Sequence, residues 1–205
     1  MGYCEWADIN ELYKTYHDKE WGVPVHDDRK MFEYLILECM QCGLSWDLIL
    51  KKRDVFRKCF DDFDYDRIAE YDDKDVERIL NTENMIRSVR KIEAVINNAR
   101  CFRKVREEFG SFCDYLWAYS DGKTILYNGH NKDIQKIPVS NGLSKRISKD
   151  LKKRGFKYVG EIKKLYRQAK AERIQHHQTS SPTNSKGYPL RQETRKGCIN
   201  PNPKQ

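Results

Sequence analysis

The stretch LILECMQCGLSWDLILKKR, residues 35–53, decides the fold of this chain. Apolar residues in it and just before it recur at the i, i+3, i+4, i+7 spacing of a helix with one buried face. Gly43 can adopt the left-handed conformation that ends a helix, and Ser45 can cap the next helix. The pattern therefore predicts two helices that meet at a tight corner.

Two residues beside this corner differ from ordinary core residues. Glu38 lies at the edge of the apolar arc of the first helix, and Trp46 opens the second helix. A carboxylate and a flat aromatic ring, one on each helix, could face one pocket. The alternative is a Glu that points to water and a Trp in the core, because charged helix residues are mostly exposed.

Composition sets the broad class of the protein. The 205 residues are 39% hydrophobic and 34% charged, which suits one domain or one domain with a tail. No apolar run approaches the ~20 residues of a membrane span, and the first residues lack the basic and apolar regions of a signal peptide. Seven cysteines, an odd number without a regular framework, indicate a reducing compartment. We therefore expect a cytoplasmic protein that does not enter a membrane.

The positive charge is concentrated at the C-terminal end. Residues 161–205 hold 10 Lys/Arg and 3 Asp/Glu, whereas residues 1–160 are nearly balanced. The net charge of +8 therefore does not by itself make the body of the protein a nucleic-acid binder. Residues 178–205 are rich in Ser, Thr, Asn, Pro and Lys with few apolar residues, and we predict that this tail is disordered.

The remaining chain shows helical periodicity and no strand pattern, which predicts an all-α domain. A long amphipathic helix is expected over Ile86–Phe109 and an aromatic one over Phe112–Tyr119. Residues 120–141 are predicted to form a loop. Further helices are predicted from a cap at Asn10, from a cap at Ser144 to about Arg154, and from Glu161 to about Gln175.

The segment KKRGFKYVG, residues 152–160, has the character of a helix–hairpin–helix turn. Gly155 and Gly160 bracket a short apolar hairpin, where glycine lets the backbone approach a phosphate closely. The basic residues Lys153, Arg154 and Lys157 add attraction that does not depend on base sequence. The alternative is an ordinary corner between two helices with a solvated basic face.

Five segments together resemble the bacterial DNA-3-methyladenine glycosylase I family. They cover the region from Cys4 to Gly160 in order and with natural spacing. The segments are YHDKEWGVP (16–24), LECMQCGLSWDLILKKR (37–53), FRKCF (56–60), KIEAVINNAR (91–100) and LKKRGFKYVG (151–160). The resemblance implies a helix–hairpin–helix glycosylase domain over residues 1–177 and excision of N3-methyladenine from alkylated double-stranded DNA.

The resemblance also assigns roles to individual residues. Glu38 resembles the catalytic carboxylate that hydrogen-bonds the flipped base, and Trp46 resembles the ring that stacks on it. Further base-pocket positions are matched by Tyr16, Tyr13 and Trp6. Gly155 and Gly160 match the family's hairpin that contacts the DNA phosphates, and the charges of Lys153, Arg154 and Lys157 make them further DNA-binding candidates.

A structural zinc site is implied only in part. Cys4 and His17 match two of the family's four ligands, and His176 or His177 would supply a third. Ser180 and Ser181 stand where the family has its last Cys, so a closed four-ligand site lacks one member. No catalytic cofactor is expected.

The family resemblance favours a monomeric, monofunctional hydrolase of the N-glycosidic bond. Ile162 stands where related lyases carry a Lys, which argues against strand cleavage. One alternative is a catalytically impaired DNA-binding relative, because the residues after Gly160 depart from the family pattern. A second is a small zinc-stabilised structural protein, which the incomplete ligand set disfavours.

Overall fold

The computed structural model describes residues 9–122, 127–128, 142–160 and 174–175. Within these ranges the chain is almost entirely helical, which confirms the predicted all-α class. The helices are α1 (Glu11–Lys19), α2 (Asp28–Gln41), α3 (Trp46–Lys51), α4 (Arg53–Cys59), α5 (Tyr65–Ala69), α6 (Asp73–Leu80), α7 (Val89–Phe109), α8 (Phe112–Ala118) and α9 (Gly142–Lys153), with a 3-10 turn at Asp61–Phe63. No helix in the described ranges is long and apolar enough to cross a membrane.

Side-chain caps begin the helices around the predicted corner. The Asn10 side chain accepts a hydrogen bond from the Tyr13 amide at 2.9 Å and starts α1. Asp27 does the same for α2, and Ser45 accepts from the Leu48 amide to start α3. Each bond satisfies one of the amides that a helix leaves without a partner at its first turn.

Two predictions at the C-terminal end are wrong. Ser144 does not cap α9, because the helix begins at Gly142 and the Ser144 side chain is buried inside its first turns. The helix predicted to reach about Gln175 does not, since Ile174–Gln175 (β2) pairs in parallel with Tyr127–Asn128 (β1). A pairing of two residues between distant segments leaves no alternating pattern to read. Residues 161–173 and the predicted tail lie outside the described ranges.

The long helix α7 is the centre of the domain. It packs against α2, α5, α6 and α8. Its predicted apolar positions are all buried, and they are Ile92, Val95, Ile96, Ala99, Phe102 and Val105. The Phe102 ring stacks on Phe112 at 4.1 Å between centroids and meets the edge of Phe32 at 5.1 Å. The helix begins at Val89, three residues later than the periodicity predicts.

Candidate active site

The corner between α2 and α3 is a tight turn of four residues. The Leu44 amide donates to the Gln41 carbonyl at 2.6 Å. Cys42 has φ −47° and ψ 110°, and Gly43 has φ +81°. These angles are those of a type II turn, whose third position favours glycine because φ is positive there. The turn directs the chain from the helix that carries Glu38 into the helix that begins at Trp46.

Glu38, Tyr16 and Trp46 lie together beside this corner. The Trp46 ring is 1% exposed, and its centroid is 5.5 Å from that of Tyr16. Burial raises the pKa of Tyr16 well above its usual value, and the negative charge of Glu38 raises it further. The carboxylate of Glu38 is therefore near enough to the Tyr16 hydroxyl for its charge to act on it. The structure thus brings together three of the residues that the sequence selects.

Tyr13 lies one helical turn before Tyr16 and is also buried. Burial raises the pKa of Tyr13, and the nearby charge of Asp47 in α3 adds to the effect. The side-chain amide of Asn10 donates to the same Asp47 carboxylate at 2.9 Å, so the start of α1 is joined to the start of α3. Trp6 and Cys4 lie outside the described residues, as do His176 and His177.

Glu38 also faces a small pocket between α2, α9 and the hairpin. The walls of this pocket include Glu38 and Ser148, with Tyr158 and Gly160 from the hairpin. The Ser148 hydroxyl donates to the Val159 carbonyl at 3.0 Å and ties the hairpin to α9. The carboxylate and the glycine-bounded hairpin therefore border the same space.

A buried ion network lies near Tyr16, and sequence analysis missed it. The Arg53 guanidinium donates to both oxygens of Glu20 at 2.7 Å and to Glu33 at 2.6 Å. The Tyr34 hydroxyl also donates to Glu20, at 2.7 Å. Burial alone would raise the pKa of Glu20, but these hydrogen bonds outweigh it and hold the pKa at about 2.

This network joins two of the segments that carry the family resemblance. Glu20 belongs to residues 16–24, and Arg53 ends residues 37–53. Both partners are charged residues that a helical pattern would leave at the surface. Only a contact between distant segments reveals them, so single-sequence periodicity could not have found the pair.

The hairpin is held on α7 by amide side chains that the sequence analysis also missed. The Asn98 side chain donates to the Lys157 carbonyl at 3.0 Å and accepts from the Lys157 amide at 2.8 Å. Asn97 donates to the Gly155 carbonyl at 2.8 Å. Gly155 has φ +91°, and a Cβ there would lie 3.3 Å from the Cys101 sulfur. Glycine is favoured at this position by its positive φ, and a larger residue would also press on the Cys101 sulfur.

The predicted basic residues of the hairpin differ in what they contact. Lys153 and Lys157 are exposed. Arg154 instead donates to Asp150 and to Glu108, and its guanidinium lies 5.0 Å from the centroid of the Phe109 ring. Arg154 therefore fastens α9 to the end of α7, whereas the two lysines face solvent beside the hairpin.

His17 is the one candidate zinc ligand within the described residues. Its Nδ1 lies 2.9 Å from an Asp18 carboxylate oxygen, and its ring stacks on Trp21 at 5.5 Å between centroids. A carboxylate on one ring nitrogen commonly orients a histidine whose other nitrogen binds a metal. The described residues contain no group of three or more metal-ligating side chains, so the remaining ligands would have to come from outside these ranges.

An all-α domain in which a carboxylate lies beside two buried aromatic rings and shares a pocket with a glycine-bounded hairpin is typical of helical DNA glycosylases. The chain belongs to the methyladenine glycosylase family, whose model matches residues 6–181. That match covers the corner, the hairpin and the residues between them.

Individual relatives agree with this assignment. The chain is 41% identical to DNA-3-methyladenine glycosylase 1 of Escherichia coli over 160 residues, 78% of this chain and 84% of that protein. It is 37% identical to DNA-3-methyladenine glycosylase of Haemophilus influenzae over 158 residues, 77% of this chain and 84% of that protein. The structure of 3-methyladenine DNA glycosylase I from Staphylococcus aureus, solved to explain its recognition of 3-methyladenine, is similar with a TM-score of 0.76. That chain is 30% identical, and the match covers 87% of this chain and 94% of the other.

Proposed function

We propose that this protein is a DNA glycosylase that hydrolyses the N-glycosidic bond of N3-methyladenine in alkylated DNA and so begins base excision repair. The observation that carries the proposal is the clustering of Glu38, Tyr16 and Trp46 at one corner, in a chain of the methyladenine glycosylase family. A carboxylate beside two buried aromatic rings suits a ligand that is both planar and cationic.

The chemistry requires recognition more than acid catalysis. N3-methyladenine in DNA is cationic, so its bond to the sugar is already weakened and the base leaves without further protonation. The protein must take the base out of the helix stack and hold it in a pocket. Trp46, with Tyr16, Tyr13 and Trp6, supplies aromatic faces, which favour a cationic base over neutral adenine.

Glu38 is the catalytic residue of this proposal. Its carboxylate accepts a hydrogen bond from the exocyclic amine and stabilises the positive charge of the bound base. Water then attacks the anomeric carbon, the glycosidic electron pair leaves with the base, and the attacking water loses a proton to solvent. Strand cleavage is not part of the reaction.

The hairpin is the proposed DNA-binding element, because the hairpin borders the same pocket as Glu38. We assign the phosphate interactions to the backbone of Gly155 and Gly160 and to the exposed side chains of Lys153 and Lys157. A second helix after Gly160 would complete the helix–hairpin–helix unit. Arg154 contributes by holding α9 in place. We expect a cytoplasmic monomer that acts on double-stranded DNA.

Release of methylated base from alkylated DNA by the full chain tests the activity directly. Glu38→Gln is expected to slow release about tenfold to hundredfold, because one charge-assisted hydrogen bond contributes roughly 1.5–3 kcal/mol. Glu77→Gln, a matched change at an exposed position of α6, should leave release unchanged. Equal rates in the two variants would show that Glu38 is an ordinary surface residue with no role in base release. If the unmodified chain releases no base, the alternative of a catalytically impaired DNA-binding protein is favoured.

Zinc is proposed as a structural cofactor bound by Cys4 and His17, with His176 or His177 from the other end of the chain. Such a site would fasten the two ends of the domain and contribute directly to folding free energy. With one family ligand replaced, we expect less than one zinc per chain after purification with mild chelation. Metal analysis that finds one tightly bound zinc would show that another residue completes the site.

A further inference from the structure

The turn between Glu38 and Trp46 is fastened from outside by a lysine of α7. The Lys91 ammonium donates to the Met40 carbonyl at 2.6 Å and to the Cys42 carbonyl at 2.8 Å. Carbonyls at the end of a helix lack partners within the helix, and a cation there also complements the helix dipole. Lys91 thus joins the last turn of α2 to the turn that follows it.

The position of this attachment along the chain matters for the base site. Cys42 is four residues after Glu38 and four residues before Trp46. Any shift of the turn at Cys42 therefore changes the position of one residue relative to the other. The Gln41 side chain also donates to the Leu44 carbonyl, but this bond lies within the turn and does not fix the turn to another element.

We propose that Lys91 is a positioning residue of the base site, which fixes the α2–α3 corner and thereby sets the placement of Trp46 relative to Glu38. It acts through the corner and does not touch the base itself. The inference rests on the proposed function. Burial lowers the pKa of Lys91, as expected for an ammonium group that has exchanged water for protein carbonyls.

The test compares Lys91→Met with Lys104→Met, because Lys104 is exposed on the same helix and its removal deletes the same charge. Lys91→Met is expected to lower the rate of base release at saturating protein by about tenfold, since it removes charge-assisted hydrogen bonds. Lys104→Met should stay within about twofold, as surface changes usually do. Affinity for undamaged DNA should change little in both variants, because neither lysine belongs to the hairpin that is assigned to the DNA phosphates.

Lys91→Arg tests whether another cation at this position restores the rate of base release. It keeps a cation with several donors and should restore most of the rate that Lys91→Met removes. A rate for Lys91→Met equal to that of Lys104→Met, or a Lys91→Arg rate as low as that of Lys91→Met, would overturn the inference.

Amide hydrogen exchange separates this inference from the activity. The Leu44 amide, which closes the turn, should exchange faster in Lys91→Met than in the unmodified chain and in Lys104→Met. Unchanged exchange at the Leu44 amide would refute the fixing of the corner by Lys91, even if the unmodified chain released no base. If the unmodified chain releases no base but Leu44 exchanges faster in Lys91→Met, the proposed function is refuted and the fixing of the corner by Lys91 is supported.

Discussion

The α2–α3 corner and the hairpin at residues 155–160 are both tight turns built on a glycine with positive φ, yet they are held differently. A Cβ at Gly43 would meet nothing within 4 Å, whereas one at Gly155 would crowd the Cys101 sulfur of α7. The corner is bound to α7 by the long side chain of Lys91. The hairpin lies directly on the helix. The difference indicates that the corner can be adjusted through one side chain, while the hairpin depends on close packing.

The interactions behind the two turns differ in kind as well. The region around Tyr16 is stabilised by a buried ion network around Arg53, and the hairpin by neutral amides of Asn97 and Asn98. Removing one partner from a buried ion pair leaves an uncompensated charge, which costs more than removing a neutral hydrogen bond. We therefore expect the largest decreases in stability from changes in the Arg53 network.

Arg53→Met is the strongest test of that ranking. It leaves the buried Glu33 and the partly buried Glu20 without their main partner and should lower the free energy of unfolding by about 3–5 kcal/mol. Arg67→Met, at an exposed position of α5, is the matched control. Chemical denaturation measures both variants, and a decrease no greater than that of the control would mean that the network is easily replaced by water.

Asn98→Leu tests the hairpin side. It removes two part-buried hydrogen bonds to the Lys157 backbone, and stability should fall by roughly 1–3 kcal/mol because each such bond contributes about 0.5–1.5 kcal/mol. Asn97→Leu removes one bond to the hairpin backbone and should cost less. Asn98→Leu should also weaken affinity for undamaged DNA without changing the binding of free 3-methyladenine. Equal weakening of both would contradict the separation between the two turns.

The corner and the hairpin also show where prediction from the sequence succeeded and where it failed. The corner was predictable because its signals are local: a glycine, a capping serine and a helical period all lie within residues 35–53. Asn98 gave no such signal, since a polar residue in an amphipathic helix looks like part of the solvated face. Arg154 was predicted to contact DNA, because nothing local in the sequence shows that it binds Glu108 on α7, which is distant in sequence. Local chemistry specifies turns and caps, and tertiary interactions decide what a polar side chain does.

The smallest expected effect concerns the exposed lysines of the hairpin. Lys153→Ala combined with Lys157→Ala should reduce the slope of log affinity against log salt by up to about one unit for each phosphate that is no longer neutralised. Stability should hardly change, because neither side chain is buried. Lys58→Ala with Lys74→Ala removes the same charge from exposed positions of α4 and α6 and should leave the slope nearly unchanged. Equal slopes for the two double variants would mean that the hairpin lysines face solvent in the complex.

The attachment of both turns to α7 limits how the length of this chain can vary. Lys91 and Asn98 are seven residues apart, so they lie two helical turns and about 10.5 Å from each other on one face. Inserting or deleting one residue between them would rotate one end of the helix by about 100° relative to the other. Either the corner or the hairpin would then be detached from the helix. Substitutions on the outer face of α7 are compatible with the site, but a change of register within this interval is not.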